Sequence, residues 1–284
     1  MKETLSKAVV VMSTPPALGT FIIYGISAVC SSSSVSYRFI FLMPAFILFF
    51  TGVVWFVLTR IIILPSPAQR NETGNVITAG RKNYSKAVIT SFVLLALVAI
   101  SNGFIKDGTT TWMPSLLKES YGMKESISII LTVILPLIAV FGAGFSALLH
   151  KREKNTSLIN FRLFFIETVF LAVLLIVSLY FDLKSPVLLI CIFAVSAVLM
   201  SAVNNVITSI IPMFIKKKSD SGLLAGALDT FCYIGSMLSS VLLGFISDRK
   251  GWTGVFVCFL IFAFIACLIS RISLLLSKKE EESI

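Results

Sequence analysis

Charge is scarce in this chain and histidine almost absent: 13% of the 284 residues are charged, and His150 is the single imidazole. There is no Walker phosphate loop, which argues against direct use of ATP. There is no HExxH zinc motif and no GxSxG nucleophile elbow. The chain therefore does not read as an enzyme, and no cofactor or metal is implied. His150 stands alone at a helix end and reads as a surface residue. Five cysteines (Cys30, Cys191, Cys232, Cys258, Cys267) form no CxxC pair and lie in or beside apolar stretches. They read as small polarizable core residues, not as a disulfide or metal set. No cleavable leader is expected either. The first apolar run carries Pro15 and Pro16, is too long for a leader's apolar region, and has no clear small-residue cleavage site.

Apolar sequence is what the chain has in abundance: 57% of residues, with a mean hydropathy of +0.96. A helix needs about 20 mostly apolar residues to cross ~30 Å of hydrocarbon. Stretches of that kind occur at 8–30, 38–64, 87–117, 126–149, 158–181, 186–215, 222–247 and 252–276. The predicted fold is an all-α polytopic membrane protein with about eight transmembrane helices.

A net charge of +10 taken alone suggests nucleic acid, but its distribution argues otherwise. With the N-terminus in the cytoplasm, 17 of the 24 basic residues fall on inner segments and six on outer ones, with Lys106 inside a span. Retention of positive charge on the cytoplasmic side orients such proteins. Both termini are therefore expected in the cytoplasm. The basic clusters fit topology determinants and contacts to anionic headgroups, with no nucleic-acid partner.

Loops between the stretches are short except at 65–86 (PSPAQRNETGNVITAGRKNYSK), which is polar, carries Pro65, Pro67, Gly74 and Gly80, and holds four basic residues. It is the natural boundary. Two spans precede it (1–64) and six follow (87–284). A six-helix block behind a cytoplasmic linker is half of the twelve-helix plan of many secondary transporters. On that plan, 1–64 would be the last two helices of a first bundle, 65–86 the central linker, and 87–284 a complete C-terminal bundle. The expected fold is thus partial, with four helices of the plan absent from this sequence.

Three segments carry a family resemblance: FIKDGTTTWMPSLLKE (104–119), YRFIFLMPA (37–45) and LLAGALDTFCYIGSMLSSVLLGFISDRKGWTGVF (223–256). The first resembles helix seven of the major facilitator superfamily. It is closest to the branch of glycerol-phosphate and sugar-phosphate antiporters, in its order of basic residue, Gly, Trp-x-Pro and Leu-Lys-Glu. The resemblance covers essentially the whole chain, aligned to helices five to twelve. It implies alternating access, with two bundles rocking about a central cavity under a proton, ion or exchanged-anion gradient. In the phosphate-exchanging relatives an arginine from each bundle grips the phosphate, and the one in helix seven falls on Lys106. Here it is a lysine, a point charge in place of a bidentate fork. Asp107 follows it, and 13–21 (STPPALGTF) lacks the histidine those relatives carry in helix five.

Ionisable groups within spans are expensive and default to functional candidates. Lys106 and Asp107 lie near the middle of the third span. Adjacent residues point ~100° apart on a helix, so the two are not expected simply to pair face to face. Gly108 and Pro114 could unwind the helix locally and free backbone groups to line a cavity. Lys106 is a candidate anion contact and Asp107 a gate or coupling carboxylate; the alternative is a structural ion pair. Trp112 fits an interface anchor. Glu167 lies ~14 Å into the fifth span. A charged carboxyl at that depth is costly, which suits a proton carrier; a carboxyl bonded across helices, or paired with Arg162, competes with that reading. Helix nine of the relatives usually lies outside the cavity, which favours the structural role. Asp229, with Tyr233 one turn later on the same face, reads equally as a substrate or proton site and as an interhelical hydrogen bond. Asn204 and Asn205, near Ser201, Thr208 and Pro212, can bond a solute or a neighbouring helix.

GFISDRKGW (244–252) resembles the superfamily's Gly-x-x-x-Asp-Arg-x-Gly loop. It falls on an outer loop and so reads as a tight turn, with Trp252 at the interface. The equivalent inner loop, 144–155, keeps Gly144 but lacks the Asp-Arg core. Gly142 and Gly144, Gly222 to Gly226, and Gly235 to Ser239 are small-residue patterns for close helix packing. The expected function is secondary transport of a small polar or anionic solute across a plasma or inner membrane. Its partners are the solute, the bilayer and a coupling proton or ion. A membrane solute sensor, or a truncated remnant that does not transport, is the alternative.

Overall fold

The computed structural model describes residues 14–32, 37–63, 86–180, 185–214 and 218–281. The helices are α1 (Thr14–Ser32), α2 (Tyr37–Ile63), α3 (Lys86–Tyr121), α4 (Glu125–Thr132), α5 (Ile134–Arg152), α6 (Thr156–Tyr180) and α7 (Pro186–Asn205). A π-helical turn (Val206–Ile210), α8 (Ile211–Met213) and α9 (Lys218–Glu281) complete them, and no strand occurs among the described residues. Except for Lys86, the expected linker lies outside the described residues, as do residues 8–13 of the first apolar stretch.

Six of the described helical stretches are long and apolar enough to cross a membrane. The last of them is two crossings. A straight 64-residue helix would run about 96 Å, three times the hydrocarbon thickness. At Gly251 the backbone turns with φ 66° and ψ −172°, a conformation open essentially to glycine alone. Gly235 abuts the backbone of Ile100, while Phe262 stacks on Phe104 one turn along the same helix, ring centroids 3.8 Å apart. A straight helix would hold residues 235 and 262 about 40 Å apart. The two arms of α9 therefore fold back, both against α3, and the GFISDRKGW segment is the turn that its composition predicts. Arg249 caps it by lying 4.0 Å over the ring of Phe245.

Proline and glycine set the other boundaries. Pro186 opens α7, where its missing N–H is not needed. Gly122, with φ 62°, ends α3. Pro212 cannot donate to the carbonyl of Thr208, and just there the ladder loosens to π spacing, with Ile211 N–H donating to Val206 O.

Packing centres on α3, which touches both arms of α9; α5 packs on α7, and α6 on α9 and α7. Phe104, Phe259 and Phe193 form the aromatic middle of this core. α1 lies along α4 and α5, and α2 packs chiefly on α1. None of the described side chains of α2 is buried, and Phe41 and Phe46 are about three-quarters exposed (74% and 76%). Such a surface suits hydrocarbon and not water.

Small residues do part of the expected packing. A Cβ at Gly235 would lie 1.9 Å from Ile100 O, and one at Gly142 2.6 Å from Val198 O. Gly144, Gly222 and Gly226 have open space and do not pack as expected. A second such approach is at Gly103, unremarked in the sequence, whose Cβ would fall 1.9 Å from Cys232 O. Backbone-to-backbone contact of this kind drives helix association in lipid.

Candidate functional site

A cavity of about 600 Å³ opens between α1, α3, α5, α7, the π turn and the first arm of α9. Lys106, Asp107, Asn204, Asn205, Asp229 and Tyr233 all line it. These six come from three separate helices, so their meeting is a result of the fold and not of sequence proximity. Glu167 does not line it. That side chain is fully buried between α6 and α7, where Ser196 Oγ donates to its Oε1.

Two expectations about α3 need correction. Lys106 Nζ does reach Asp107, at 3.4 Å, with each side chain about 30% exposed to the cavity. The ~100° between neighbours is bridged because the lysine stem is long and flexible. The helix also does not unwind at Gly108 or Pro114; α3 is continuous through both. Pro114 has no N–H for the carbonyl of Thr110, and that carbonyl instead accepts from the Tyr24 hydroxyl of α1 at 3.2 Å. The Thr109 and Thr110 hydroxyls add bonds to the carbonyls of Ile105 and Lys106 one turn back.

The two asparagines divide. Asn205 is buried and its Nδ2 donates to Ser146 Oγ at 2.7 Å, joining α7 to α5. Asn204 is half-buried on the cavity wall, its Oδ1 accepting from Asn102 Nδ2 at 3.2 Å. Tyr24 and Thr20 of α1 also line the cavity and were not singled out in the sequence. A tyrosine in an apolar span reads as core or interface, and only the position of α1 against the bundle gives it a polar role.

Other expectations differ in detail. His150 is half-buried, tilted against Phe214 with centroids 5.1 Å apart, and is not a free surface group. Cys30, Cys232 and Cys267 are buried as expected, but Cys191 is exposed and Cys232 also touches the cavity. Trp112 sits over Gly244 and 6.5 Å from Trp252, whose Nε1 donates to Glu119 at 3.1 Å. This pair of indoles at one end of the bundle has the place of an interfacial aromatic belt.

Apolar helices of membrane length around a polar, charged cavity define an integral membrane protein. The model of the Major Facilitator Superfamily matches residues 1–238. The chain belongs to that superfamily and is a membrane transporter in the general sense. No curated protein matches the chain.

The position of Glu167 gives a direct prediction. Glu167→Gln keeps the shape and the bond from Ser196, and is expected to melt like the parent protein. Glu167→Ala leaves a void and an orphaned hydroxyl, and should cost about 2–4 kcal/mol in thermal denaturation. A Glu167→Gln variant that melts normally but no longer transports would instead make this carboxyl a proton carrier.

Proposed function

We propose that the chain is a secondary active transporter carrying a small polar solute by alternating access, coupled to a proton, an ion or an exchanged solute. The observation that carries this reading is the cavity itself, in which six ionisable or amide-bearing candidates converge between α1 and the six-helix block. On this reading residues 1–64 contribute the last two helices of one bundle, 65–86 are the cytoplasmic linker, and 87–284 are the second bundle. Lys106, Asp107, Asn204, Asp229 and Tyr233 face the solute. Asn205 and Glu167 hold helices together.

The charge distribution supports cytoplasmic termini in a plasma or inner membrane. Lys151, Arg152 and Arg271 lie at the end of the bundle where Ser157 and Ser273 meet, 3.1 Å apart, opposite the end with Trp252 and Glu119. Within the superfamily, residues 104–119 support kinship with the organophosphate antiporter branch, with Lys106 in the place of an arginine.

The test is reconstitution of the chain in proteoliposomes and solute counterflow with and without ion gradients. Saturable, trans-stimulated uptake is expected. Solute binding with no counterflow would overturn transport and favour a membrane sensor.

A further inference from the structure

Among the described residues, three charged groups line the cavity: Lys106, Asp107 and Asp229. The ammonium of Lys106 is already matched by Asp107 at 3.4 Å. Asp229 has no cation within ion-pair distance among the described residues. Its carboxylate is half-buried on the wall of a chamber inside an apolar bundle, where an unmatched charge is costly until a counter-charge arrives. Tyr24 and Tyr233 line the same chamber, and Tyr233 is 66% exposed, the most open of the ionisable and aromatic groups there. A carboxylate together with aromatic faces is the chemistry that recognises ammonium ions. An incoming anion would meet two carboxylates and one cation that is already paired. An incoming ammonium would meet an unpaired carboxylate.

We infer that the solute carries a positively charged amine, cationic or zwitterionic, with Asp229 as its counter-charge and Tyr233 and Tyr24 as its aromatic walls. The inference rests on the transporter reading and narrows its substrate class away from phosphate and other simple anions.

The test uses the full chain in lipid nanodiscs and follows its melting temperature against choline, a zwitterionic amino acid, inorganic phosphate and sodium chloride at matched ionic strength. At least one of the two amine probes is expected to raise the melt saturably, and phosphate is not. Asp229→Asn should weaken that response by about tenfold or more, the scale of a lost counter-charge. Tyr233→Ala should weaken it less, and Tyr233→Phe should preserve it. Tyr233 is exposed, so its variants report on the site even if Asp229→Asn fails to fold.

A saturable response to phosphate that Lys106→Gln removes, with the amines silent, overturns the inference while leaving transport intact. So does a response to sodium alone that the amines cannot displace, or no response to either amine. Counterflow in proteoliposomes tests the transporter reading separately.

Discussion

Gly235→Val is expected to abolish recovery of monodisperse protein from the membrane. The first side-chain carbon would fall 1.9 Å from the carbonyl oxygen of Ile100, roughly half a normal carbon–oxygen contact. The obstructing atom is backbone, so no rotamer change relieves it, and α3 must move away from α9. That movement opens the stack of Phe104 on Phe262 and the other contacts of a ring that is completely buried. Overpacking a well-fitted core costs about 1–3 kcal/mol and more where backbone must shift. Against a total stability of about 5–15 kcal/mol, two additional methyls beyond the first carbon leave little margin. Gly103→Val should behave alike, because its first carbon would meet Cys232 O at the same distance. Gly226→Ala, with open space around it, serves as the control and should elute and melt normally. Size-exclusion profiles of detergent extracts decide the matter. A normal peak and melt for Gly235→Val would show that α3 and α9 do not meet backbone to backbone.

The second large effect is expected at the Lys106–Asp107 pair. Lys106→Gln leaves Asp107 unmatched on the cavity wall, and Asp107→Asn does the reverse to Lys106. Complete burial would make either loss severe; partial exposure moderates it to about 1–3 kcal/mol in thermal denaturation. The double variant Lys106→Gln/Asp107→Asn removes both charges and should recover most of the lost stability. Residues in contact show such coupling in double-mutant cycles. Transport then separates the two roles open to this pair. A pair that serves only the fold regains counterflow along with stability. A pair that works on the solute or its coupling ion leaves a stable double variant that does not transport, and this second outcome is the expected one.

Much of this architecture was legible in the sequence because hydrocarbon imposes a length. Most of the apolar runs are helices of bilayer span, and the GFISDRKGW segment is the turn between two of them. The cavity was legible for a related reason. Lysine, aspartate and asparagine in such runs need somewhere polar to point, and six of the candidates point to one place. What escaped were features that depend on which helix lies beside which. Gly103 looked like any glycine in a long helix until Cys232 was found against it. Ser196 gave no sign that it would hold Glu167. Lys106 pairs with Asp107 because a four-carbon stem spans the ~100° between neighbouring positions, a reach that backbone angles alone do not indicate. The π turn before Pro212 belongs to the same class, since a proline reports a missing donor but not how the ladder accommodates it.

The hydrogen bond from Tyr24 to Thr110 turns a local defect into a joint between distant parts of the chain. The donor that Pro114 fails to provide is borrowed from a helix 86 residues away in sequence. Pro114→Ala would give α3 its own donor and leave Tyr24 with a competitor, so straightening the helix should loosen the assembly. Hydrogen exchange in α1 is expected to speed up in that variant even as α3 becomes more regular. The imperfection in one rod is what fastens it to the next.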